Sequence, residues 1–155
     1  MTAHVHQLSV SDGGVPKLAV AEAEVTSGGM AGDRQRNRRF HGGPRRALCI
    51  FSLDAIERLR AEGHPVAPGT TGENVTVAGL AWERVRPGVR LALGEEVVVE
   101  VTSYTAPCRN VAPSFRDGRF ERISQKLHPG DARVYARVLS PGLLRTGDPV
   151  RVLEE

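Results

Sequence analysis

Two cysteines are the softest donors in this chain, and their surroundings differ. Cys108 follows Tyr104-Thr105-Ala106-Pro107 and precedes Arg109-Asn110. That spacing predicts a thiol where a strand ends, at the start of a helical stretch and beside a permanent cation. Both features favour thiolate over thiol, and a thiolate is what a soft metal or a nucleophilic attack requires. The alternative is plain burial, the common fate of free cysteine. Cys49 lies in Ala47-Leu48-Cys49-Ile50-Phe51, an apolar run in which cysteine acts as a small hydrophobe.

The segment Gly32 to Arg46 gathers Arg34, Arg36, Arg38, Arg39, Arg45 and Arg46 around His41-Gly42-Gly43-Pro44. Guanidinium forks and glycine-flanked amides suit a small anion. A solvated basic face and a phosphate-contacting nucleic-acid surface compete with that reading. The cluster holds a single aromatic, Phe40, and no helix-turn-helix, zinc-finger or RNA-recognition pattern accompanies it, so nucleic acid is not indicated. Gly72-Glu73-Asn74 leads from a turn into Val75-Thr76-Val77. Glu73 and Asn74 either complete that turn or present a carboxylate and an amide to a polar heterocycle. His4 and His6 share a strand face without a neighbouring carboxylate or cysteine, a weak metal pattern. Gly-x-Ser-x-Gly is absent, and with it the signal for a serine hydrolase.

The elements that must position these groups are short. Strands are predicted over Val5 to Val10, Leu18 to Val25, Ala47 to Phe51, Val75 to Val77, Val97 to Thr102, Val134 to Leu139 and Val150 to Leu153, each rich in β-branched residues and bounded by Gly, Pro or Asp. One helix is predicted, capped by Ser52 or Asp54, with Leu53, Ile56 and Leu59 on one face and an end at Gly63 and Pro65. A further helical stretch from Cys108 to Phe115 is interrupted by Pro113, and Ser124 to Leu127 suit a turn. The chain's 155 residues fit one domain, 1–155. Its composition, 40% hydrophobic and 25% charged, lies far from that of disordered chains. With 17 glycines and 10 prolines, it predicts a mainly β fold, a single β-barrel domain with a few short helices, rather than a bundle. Of 21 basic residues only Lys17 and Lys126 are lysines, so Schiff-base chemistry is poorly supplied. No apolar run approaches a membrane span and the start carries no secretory pattern. A soluble, cytoplasmic protein without membrane contact is expected.

In order and spacing, Gly32-Asp33-Arg34, His41-Gly42-Gly43-Pro44, Gly72-Glu73-Asn74-Val75-Thr76, Pro107-Cys108, Tyr135-Ala136-Arg137-Val138-Leu139 and Gly147-Asp148 resemble the MOSC domain, named after the C-terminal part of molybdenum-cofactor sulfurase. The chain is similar to small stand-alone bacterial members linked to detoxifying N-hydroxylated bases. Arg45 stands where members often carry Asp, and Arg133 where an aromatic or glycine-flanked version is common. The resemblance implies a β-rich barrel in which Cys108 ligates the molybdenum of a pterin cofactor (molybdopterin) and is the catalytic residue. Alternatively, Cys108 carries persulfide sulfur for metal–sulfur cofactor assembly. It further implies Arg34, His41, Arg46, Glu73, Asn74, Arg109 and Asn110 as cofactor contacts, arginines on the phosphate and Asn74 and Asn110 on pterin edges. A small-molecule substrate is implied, together with an electron-donor or sulfur-donor protein as partner.

Overall fold

The computed structural model describes residues 2–33 and 43–153. Within them the strands are β1 (His4–Val10), β2 (Leu18–Val20), β3 (Glu22–Thr26), β4 (Gly29–Met30), β5 (Leu48–Ser52), β6 (Val75–Ala78), β7 (Arg90–Leu93), β8 (Val97–Tyr104), β9 (Val134–Ser140), β10 (Gly142–Arg145) and β11 (Val150–Val152), and the α-helix is α1 (Leu53–Ala61). Eight strands form one sheet in the order β11-β7-β8-β9-β5-β6-β1-β2, and β10-β3-β4 form a second. Every pairing in the large sheet is antiparallel except β5 with β6, which α1 connects. A parallel pair needs such a crossover, and its residues are buried along their whole length, as all of β5 and β6 are here.

The mainly β expectation holds, whereas the barrel expectation is not met by a closed ladder. The large sheet has β11 and β2 at its ends, and β1 meets the chain leading into β11 through an isolated bridge, His4 with Pro149, and backbone hydrogen bonds that link Ala3 and Val5 to Gly147, Asp148 and Val150. The expected Leu18 to Val25 strand is two strands, which pair in different sheets.

Helix α1 forms where its signals place it. Ser52 caps it, its Oγ accepting from the Ala55 N–H at 3.1 Å, and Ala55, Ile56 and Leu59 are buried. Fully burying Ile56 or Leu59 is worth roughly 1.5–3 kcal/mol each. Phe51 packs edge-on against Trp82 with ring centroids 6.5 Å apart, and the Trp82 indole N–H donates to the Ala132 carbonyl at 2.8 Å. These two contacts tie the strand before α1 to the entrance of β9.

Between β8 and β9 the chain makes an excursion of 3-10 turns, Arg109–Ser114, Arg116–Gly118 and Phe120–Ile123. The helical stretch expected from Cys108 to Phe115 is the first of these. Pro113 has no N–H to give to a longer α-helical ladder, and short 3-10 turns tolerate that loss. An electrostatic clasp holds the excursion to α1: Arg122 donates to both carboxylate oxygens of Glu62 at 2.8 Å and to Asp131 at 2.8 Å, and Asp131 also accepts from Arg58 at 2.8 Å.

Candidate functional site

Cys108 stands where the β8 excursion begins, half-buried, in the position preceding the Arg109–Ser114 turn. Its carbonyl accepts from the Val111 N–H at 3.1 Å, and its thiol makes no hydrogen bond among the described residues. The turn is too short for a macrodipole of consequence, so the expected helix N-terminus contributes little. Arg109 and Asn110 are exposed, their side chains at the surface next to the thiol in sequence.

The wall behind Cys108 is built by β9 and β5. Tyr135 of β9 lies opposite Cys49 of β5 and Ser103 of β8 in register, and its ring lies beneath the Arg46 guanidinium, 5.3 Å from centroid to carbon. Burial, and then the nearness of Cys49, pushes the Tyr135 phenol up to about 12; Arg133 and Arg46 oppose that rise, and Cys108 adds to it. At neutral pH the phenol therefore keeps its proton. Cys49 is buried, its sulfur 3.8 Å from the Thr105 hydroxyl, and burial pushes its thiol up. The expectation that Cys49 is a buried strand residue is met.

Glu73 and Asn74 are also buried, and their polar atoms are already spent. The Asn74 side chain accepts from the Cys49 N–H at 3.0 Å and donates to the Ser9 carbonyl at 3.3 Å and to Asp33 at 2.8 Å. Asp33 in turn pairs with Lys17 at 2.7 Å and accepts from the Ser11 N–H at 2.9 Å. Glu73 accepts from the Gly69 N–H at 3.1 Å, from Thr71 at 2.8 Å and from Thr76 at 3.1 Å, while burial pushes its carboxyl up. Gly69 is required here: its φ is +85°, and a side-chain carbon would stand 2.6 Å from the Lys17 carbonyl. Glu73 and Asn74 thus brace this turn from within, each of their polar atoms already paired inside the protein.

Arg34 and His41 lie outside the described residues. Arg46 is exposed beside the Tyr135 ring, so the structure brings Arg46, Tyr135, Cys49 and Cys108 into one neighbourhood. A further member was not among the expected site residues. Arg133 is buried at the entrance of β9 and reaches both the Thr71 and the Ala106 carbonyls. Its sequence signal was its position directly before Val134-Tyr135. Among the described residues no three His, Cys, Asp or Glu side chains converge on a metal position.

Residues 37–151 match the model of the MOSC domain. The chain belongs to the MOSC domain family. It is 32% identical over 123 residues to the uncharacterized protein YflK of Bacillus subtilis, a match covering 79% of this chain and 54% of YflK. It is 30% identical over 130 residues to a protein of Gibberella moniliformis named Reductase, covering 81% of this chain and 23% of that protein. The crystal structure of YiiM from Geobacillus stearothermophilus superposes with a TM-score of 0.76 at 22% identity, over 98% of this chain and 75% of that one, which shows the shared MOSC fold. This MOSC chain spans about half the length of YflK and under a quarter of the reductase. Among its described residues no helix is long and apolar enough to cross a membrane.

Proposed function

We propose that this MOSC protein holds a molybdenum–pterin cofactor through Cys108 and with it reduces N-hydroxylated bases or amidoximes. The observation that carries the reading is the contrast in donor chemistry around the one accessible thiol. Cys108 is half-buried and without a hydrogen-bonding partner among the described residues, and arginines stand on both sides of its neighbourhood. One soft protein ligand suits a metal whose other donors arrive with its cofactor. The residues present fit the group in that respect.

When bound, the cofactor supplies two-electron redox chemistry; the net reaction, N-hydroxyl plus two electrons and two protons giving N–H plus water, draws its electrons from a donor protein. The chain's own residues do the rest. Cys108, half-buried, would offer its sulfur to the metal. Arg46 and Arg109, both exposed, present guanidinium forks suited to the cofactor phosphate. Tyr135 keeps its phenolic proton, and Cys49 with Thr105 closes the wall behind it.

The test is metal content and turnover of protein from a host that makes the cofactor. Wild type should copurify with molybdenum and reduce an amidoxime when given an electron donor, and Cys108→Ser should lose both while unfolding at an unchanged temperature, because serine keeps the size but not the soft donor. A metal-free, inactive wild type that accepts persulfide sulfur on Cys108 would instead assign the chain to sulfur transfer. Full activity in the serine variant would defeat both readings.

A further inference from the structure

We propose that Arg133 is the positioning residue of the Cys108 site, fixing the chain just before the thiol to the Gly69–Asn74 turn and holding a buried positive charge behind it. The proposal rests on the reading of Cys108 as the functional thiol, and deepens it. Arg133 exposes 5% of its surface. One guanidinium nitrogen donates to the Thr71 carbonyl, and the other reaches the Ala106 carbonyl at 3.4 Å, two residues before Cys108. The Arg133 carbonyl itself accepts from the Thr105 N–H at 2.9 Å. Side chain and backbone of one residue thus grip the same short segment, and the side chain ties that segment to the turn that Glu73 braces from within.

A neutral amide would bridge two carbonyls at far smaller desolvation cost than a guanidinium, because a buried charge is penalised unless it is paired. Arg133 is only partly compensated. Its Nε is buried without a partner, and no carboxylate stands at ion-pair distance from it among the described residues. Glu73 feels its charge, but the Glu73 oxygens are already held by Gly69, Thr71 and Thr76. The field therefore acts outward on Cys49 and on Tyr135, whose ring also feels Cys108. An anionic group approaching Cys108 meets a favourable potential, so the site selects for anionic over neutral partners of equal size.

The experiment uses the full chain freed of cofactor and measures alkylation of Cys108 by iodoacetate and by iodoacetamide at one pH, resolved by peptide mass spectrometry. The thiolate fraction affects both reagents equally and cancels in their ratio, which leaves the local potential. The iodoacetate-to-iodoacetamide ratio should fall about threefold or more in Arg133→Gln and stay within about twofold of wild type in Arg133→Lys. Lysine cannot span both carbonyls, so amide exchange over residues 105–111 should quicken in that variant. An unchanged ratio in a folded Arg133→Gln overturns the charge role. If the glutamine variant does not fold, unaltered exchange over 105–111 in Arg133→Lys overturns the positioning role. Because the chain is cofactor-free, a charge-dependent ratio in a protein that never binds molybdenum would leave this inference standing while defeating the proposed function.

Discussion

The turn entering β6 and the loop leaving β8 both carry motif residues, and they handle polarity in opposite ways. In the turn, Glu73 and Asn74 are withdrawn from solvent and each of their polar atoms has a partner inside the protein. In the loop, Cys108, Arg109 and Asn110 remain accessible. A buried network whose polar atoms are all paired contributes rigidity; an open group costs little to fold and keeps its capacity for binding. Asparagine is thus buried and paired at Asn74 and left accessible at Asn110, and Arg133 joins the turn to the loop.

The sharpest break of that comparison is thiol reactivity. In native, cofactor-free protein at neutral pH, Cys108 should alkylate at least about a hundredfold faster than Cys49, whose thiol is buried and pushed up; comparable rates would erase the distinction. Next in size is stability. Asn74→Ala removes three buried hydrogen bonds, two of them to Asp33 and the Cys49 backbone, and should cost about 3 kcal/mol in urea unfolding. Asn110→Ala, on the exposed side, should cost less than about 0.5 kcal/mol and act on cofactor retention instead.

Glu73 sharpens the contrast further. Its folded pKa is raised, so the native state favours the protonated form, and stability is fullest below the ordinary carboxylate pKa and declines as pH rises through the folded value. Glu73→Gln mimics the protonated form and should change neutral-pH stability by less than about 1 kcal/mol, while Glu73→Ala, which strands three donors, should cost more than about 2 kcal/mol by the same measurement. The smallest effect belongs to the clasp on the 3-10 excursion. The Arg122 hydrogen bond holds the Glu62 carboxyl below its usual range, so that stabilisation is present above the ordinary carboxylate pKa and lost as pH falls through the folded value. The gap between wild type and Arg122→Gln should be under about 1 kcal/mol for this largely exposed link and should close in acid.

Much of this architecture was legible from β-branched runs and turn residues. Val5, Val75, Val97 and Val134 all fall inside or at the start of observed strands, and Ser52 caps α1 as expected. β7 was missed because Arg90-Leu91-Ala92-Leu93 contains no β-branched residue; its strand conformation comes from pairing with β8 and β11. β10 was missed because it begins at Gly142, directly after Pro141, residue types that favour a turn over a strand. Cys108 drew notice through its sequence neighbours Pro107 and Arg109, whereas Tyr135, Cys49 and Arg46, which the fold brings near it, are distant in sequence. The bracing role of Asn74 was not legible because its partners, Cys49, Ser9 and Asp33, lie 25, 65 and 41 residues away. Arg133 drew notice only as a departure from the family pattern, since the carbonyls it grips are 62 and 27 residues away.

The chain's single tryptophan adds an optical consequence. Trp82 is 7% exposed, and its indole N–H is bonded to Ala132, the residue immediately before Arg133. Loosening of the β9 entrance would release that hydrogen bond and admit water to the ring, shifting its emission to the red. Fluorescence from one native chromophore thus reports the integrity of the wall behind Cys108, with no label and no cofactor.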